Sequence, residues 1–165
     1  MDDNDRSLDT SPSPWSAPPT AKERGAVQRA VGRLLDELAP ERAPARGGHL
    51  AGAIERHRTP TGCVLQAPAA AVSVSWFADA ANDAALGELR VIVWRGVVTR
   101  RGAGRSSEGA AVVRELTLRP VERSGDDWGW RADDGSLYHG GALAELCLAL
   151  LDEQIGPARA GDLPS

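Results

Sequence analysis

The sequence predicts a single α+β domain in which an antiparallel sheet of about five strands packs against N- and C-terminal helices. Three observations lead there. Two segments, one near each end of the chain, carry apolar residues at helical spacing; the stretch between them switches to period two; and helices and strands do not alternate as a parallel doubly wound sheet requires. A length of 165 residues fits one domain, and 42% hydrophobic against 25% charged residues is enough for a core, which argues against a fibrous or wholly disordered chain.

Residues 1–19 hold four Asp, five Ser or Thr and four Pro, so burial there cannot offset the entropy of ordering. They are read as a disordered tail, with Trp15 as its one aromatic. The domain is placed at 20–156, and 157–165 is read as a frayed C-terminal tail.

The first helix begins at Thr20, which forms a capping box with Glu23, and its stripe is Val27, Ala30, Val31, Leu34, Leu35 and Leu38. Pro40 stops it. Arg24, Arg29, Arg33, Asp36 and Glu37 fall off the stripe and belong in solvent. Residues 39–48 read as a linker. Residues 49–58 (HLAGAIERHR) leave helix and strand both open, and Thr59-Pro60-Thr61-Gly62 is a turn.

From Cys63 the pattern alternates. Residues 63–67 and 71–77 are strands, the second with Val72, Val74 and Trp76 on one face and Ser73 and Ser75 on the other. Residues 88–99 and 110–122 are the longest strand candidates, joined by a Gly- and Arg-rich hairpin loop. A last hairpin, 128–132 into 136–138, turns at Asp133-Asp134-Gly135. Residues 142–154 then form the second helix through Leu143, Leu146, Cys147, Leu150 and Leu151, with Gly156-Pro157 as its stop signal.

Chemistry-bearing motifs are few. Cys63 and Cys147 are too few for a disulfide framework and lie in apolar runs, so they read as buried thiols in a reducing cytoplasm. His49, His57 and Cys63 lack the close spacing of zinc ligands. Cys63 beside His57 is the one nucleophile–base pair worth naming, and there is no nucleophile elbow. The Gly102–Gly109 loop leads into a strand, where a phosphate cradle needs a helix N-terminus. Asp126-Asp127 and Asp133-Asp134 suit turns. No metal or other cofactor is expected.

Charge says more. Lys22 is the only lysine beside 18 arginines, a bias typical of GC-rich bacterial coding, and the net charge is −4. Residues 88–123 carry eight Arg against four Glu, whereas 125–165 carry two Arg against eight acids. Overall acidity disfavours nucleic acid as a partner. No apolar run is long enough to cross a bilayer, and the acidic start is unlike a signal peptide, so a soluble cytoplasmic protein without a membrane partner is expected.

Strand faces sharpen the expectation. Arg95 shares a face with Leu89, Val91 and Val93, and Arg114 with Val112, Leu116 and Leu118, so matching the apolar faces sets the two arginines opposite or diagonal; pairing Val93 with Leu116 puts them directly across. Such a pair calls for an anion, either internal or bound. Ile92, Trp94 and Val98 make the other face of that strand apolar as well, with Glu115, Thr117 and Arg119 beside them. The leading reading is a binding or adaptor module that recognises a protein, an acidic partner or a second copy of itself through Trp94, Arg95 and Arg114, with enzymatic function disfavoured. The alternative is an enzyme or small-ligand binder whose pocket is lined by Trp76, Trp128, Trp130 and the Asp pairs.

Overall fold

The structure, a computed structural model, describes residues 18–40, 54–78, 86–98, 110–124 and 127–160. It is α+β, as expected. The sheet has seven strands rather than about five: β1 (Glu55–Thr59), β2 (Gly62–Gln66), β3 (Ala70–Phe77), β4 (Glu88–Arg95), β5 (Ala111–Ser124), β6 (Asp127–Ala132) and β7 (Leu137–Tyr138), preceded by α1 (Ala21–Leu38) and followed by α2 (Ala142–Ala160). The strands lie in chain order and every neighbouring pair is antiparallel.

The strand that periodicity left undecided is β1. It lies at an edge and is only partly buried, so no apolar alternation marks it. Its Glu55, Arg56, His57 and Arg58 put charge along the free edge, which discourages pairing with another chain. β4 ends early because Gly96, at φ 102°, turns the chain where an L side chain would be strained. α2 runs past Gly156-Pro157 to Ala160. Proline's φ is helical, and its cost inside a helix is a lost backbone hydrogen bond and a local clash, so the stop signal bends the odds without forbidding the turn.

α1 starts as its cap dictates, with the Thr20 hydroxyl accepting from the Glu23 N–H at 3.1 Å. Its whole predicted stripe is buried. Arg56 donates to the Leu38 carbonyl, one of the last-turn acceptors with no donor inside the helix, and Arg58 pairs with Asp36. Leu34 and Glu37 of the same two turns face β6 and the connection into α2. α1 therefore reaches from the β1 edge of the sheet to β6, the strand next to the far edge.

The core lies between the helices and one face of the sheet. Val72, Val74 and Trp76 of β3, Leu89, Val91 and Val93 of β4, and Leu118 of β5 join the stripe of α1 and Leu143, Cys147, Leu150 and Leu151 of α2. Trp76 and Trp130 meet edge to face, their centroids 5.8 Å apart. No described helix is long and apolar enough to cross a membrane.

Gln66, 8% exposed, fastens one end of the sheet. Its amide donates to the carbonyls of Ala67, Ala70 (3.1 Å) and Gly96 (3.2 Å), and its oxygen accepts from the Val98 N–H at 2.9 Å. Gln66→Ala removes all four bonds together, leaving the Ala70 carbonyl its bond from the Ala67 N–H. Urea unfolding is expected to show a loss of about 1–3 kcal/mol, and a loss below a few tenths would show that the clamp carries no weight.

Candidate functional site

Two places stand out, one on each side of the sheet. Strand alternation sets Ser73, Ser75, Arg90, Ile92, Trp94, Glu115, Thr117, Arg119 and Arg131 on the face opposite the helices, and no described helix covers them. Trp94 is half-buried there, its indole N–H donating to Ser73 Oγ at 2.9 Å. The polar end of the indole is thus satisfied inside the sheet, leaving ring surface toward solvent. Val112, paired with Trp94, is 53% exposed.

At the other end of this face, Glu88 is nearly buried and accepts from Arg90 through Nε (2.8 Å) and Nη2 (2.7 Å), while the Arg90 guanidinium lies 4.9 Å from the centroid of Phe77. That fork neutralises Arg90 and stacks it on a ring. Arg119 and Arg131 are different. They sit directly across from one another on β5 and β6, both exposed, and no described carboxylate pairs with either. Like charges so opposed repel, which a partner's carboxylates would relieve.

Trp94, Arg95 and Arg114 divide between the two faces, as alternation along their strands predicts. Arg95 alternates with Trp94, and Arg114 stands across from Val93, so both arginines belong to the helix side of the sheet. Leu116 pairs with Val91, and a register shift between Val93 and Trp94 puts Ala111 across from Arg95. The arginines are therefore diagonal rather than opposed. Both are exposed where the helices do not reach, so no buried charge demands a compensating anion. On the Trp94 face, the arginines that stand across from one another are Arg119 and Arg131. Arg119 was legible from the outward alternation of its strand, whereas Arg131 needed the β5–β6 register.

The second place is a cleft of about 220 Å³ between α1, β6 and the turn before α2. Trp128 and Trp130 form its apolar wall, Arg33 and Glu37 come from α1, Asp127 from β6, and Gly140 and Gly141 leave bare backbone on the third side. Two of the three tryptophans and one of the aspartates expected in a pocket meet here. Trp76 instead packs into the core, and Asp133 and Asp134 make the β6–β7 turn, where Asp134 accepts from the Ser136 N–H at 2.8 Å. That bond holds the Asp134 carboxyl below its ordinary range. Arg33 and Glu37 were read as ordinary solvent-facing residues of α1, since only tertiary packing brings them to the cleft.

The remaining chemistry resolves simply. His57 pairs with Val64 and Cys63 with Val74, so His57 lies on the helix-free face and Cys63 on the core face, which breaks the thiol–imidazole pair. His57 instead sits 3.5 Å from Glu55. No group of three or more metal-ligating side chains occurs among the described residues. His49, Asp126 and the Gly102–Gly109 loop lie outside the described residues. No family model matches the chain, nor does any curated protein or solved structure.

Both cysteines are buried. Burial pushes the Cys63 thiol up to about 11, against the pull of Arg58 and Arg56, and the Cys147 thiol up to about 12. Thiolate, the reactive form, is thus scarce at neutral pH. A disulfide reagent is expected to titrate both thiols in urea and neither in the native protein over the same minutes; fast native labelling of Cys63 would contradict its burial. Since both folded values exceed the ordinary 9.0, the folded chain keeps protons that the unfolded chain releases. The stability this gives is complete below pH 9 and is lost as pH rises through 11 to 12, so urea midpoints should fall across that window.

Proposed function

We propose that this protein is a binding module that docks an acidic protein segment on the helix-free face of its sheet. The observation that carries the reading is one-sided coverage: two helices bury one face, while the other keeps a half-exposed tryptophan with an exposed valine beside it and two opposed arginines that no described carboxylate pairs. From the Trp94 row to the Arg119 row is six residues along β4, about 20 Å. A segment with an apolar anchor and carboxylates beyond it would match that span. The charged edge strand β1 turns such a segment away from strand addition and toward the face. Interfaces of this kind are dominated by a few anchors, of which Trp and Arg are the commonest.

A second reading is favoured by the cleft beside Trp128, which would make the protein a small-ligand binder. The two use opposite sides of the sheet, and neither depends on the other.

Selection from a displayed random peptide library tests the docking face. Binders are expected to be enriched in Asp and Glu, and Trp94→Ala and the double variant R119E/R131E should each weaken them by about tenfold or more while thermal stability stays near wild type. Binders indifferent to all three residues would sink the reading. Light scattering that shows a dimer dissociated by Trp94→Ala would replace the acidic segment with a second copy of the chain.

A further inference from the structure

The cleft between α1, β6 and the start of α2 offers more than space. Arg33 and Glu37 both line it, one helical turn apart, yet no ion pair forms between them, and neither has another charged partner among the described residues. An Arg four residues before a Glu is the weaker orientation for a pair within a helix, so the two charges are left available to something else. Asp127 is already engaged, its carboxylate 3.4 Å from Arg123. Among the described residues, the free charges of the cleft are thus one cation and one anion.

The wall behind them is apolar. Trp128 and Trp130 are 7% and 4% exposed, and the Trp128 indole N–H is buried without any acceptor in the described structure. A buried donor left unmatched costs on the order of 1–3 kcal/mol, so a ligand that reorders this corner and supplies an acceptor has something to gain. On the third side Gly141 brings bare backbone close to Glu37, whose Oε2 lies 3.7 Å from where a side chain would begin. A volume of about 220 Å³ falls below the roughly 300 Å³ at which drug-sized sites begin, which points to a metabolite of few heavy atoms.

Resting on the small-ligand reading of this cleft, we infer that its ligand is an α-amino acid with an apolar side chain. Arg33 would hold the carboxylate, Glu37 the ammonium, and the Trp128–Trp130 wall the side chain. An anion alone would meet the Glu37 carboxylate, and a cation alone would meet Arg33. A zwitterion uses both charges, and charge-assisted hydrogen bonds are the strong ones.

The test is a calorimetric titration of the full chain, with tryptophan emission as a second readout. The probes are leucine and phenylalanine, the corresponding amines isoamylamine and phenethylamine, and the corresponding acids 4-methylpentanoate and 3-phenylpropionate. An amino acid is expected to bind at least tenfold more tightly than its amine or its acid, each of which forfeits one charged contact. Arg33→Ala should erase the preference over the amine, and Glu37→Ala the preference over the acid. Both residues are exposed, so the fold should survive either change. An amine or acid that binds as tightly as its amino acid would overturn the ligand class and leave the cleft a small-ligand site. No heat and no emission change with any probe would overturn both.

Discussion

One constraint governs the structure: the apolar face of β2 to β6 can leave water only beneath α1 and α2. Every inward position of β3 and β4 is filled by Val, Leu or Trp as far as Val93, and these rows find their cover in the leucines of two helices. Burying side chains of this size is worth about 1.5–3 kcal/mol each, more than a typical neutral hydrogen bond contributes. The polar contacts decide placement instead. Arg56 and Arg58 fix the end of α1 against β1, and Gln66 fixes the β2–β3 turn against the chain leaving β4.

The same constraint explains why so much of the fold was legible. Elements that bury a periodic face announce it: the stripe of α1, the Val72–Val74–Trp76 row and the Asp-Gly turn at Gly135 can all be read from spacing and turn chemistry alone. β1 could not be read so, because an edge strand of Glu, Arg and His buries no row and is ordered by pairing with β2 and by its arginines' hold on α1. The strand count of about five fell short of seven partly there, and strand length was overestimated at Gly96, where backbone conformation overrode an apolar pattern that continues to Val98.

Site residues were harder to read for a related reason. A side chain that faces water leaves no periodic trace of what it stands beside. Trp94 was placed by alternation, but the arginines near it depend on register, and the shift after Val93 undid the simplest pairing of β4 with β5. The cleft is harder still, since Arg33 and Glu37 reach Trp128 across most of the chain. Two of the four described tryptophans end with their indole N–H buried and unmatched. In a chain with one Phe and one Tyr, indoles have taken core positions that plain rings would fill more cheaply.

Strand order has a kinetic consequence. Each strand of the meander pairs with its immediate neighbour in sequence, so the sheet can be assembled from hairpins, whereas α1 must reach β6 and α2 must reach β3 and β4 across long stretches of chain. Local pairings form before distant ones because they sacrifice less chain entropy. Core truncations in β3 and β4 should therefore slow folding in a chevron experiment, and those in α1 should mainly hasten unfolding. On this account the two helices find their places after the hairpins of the sheet.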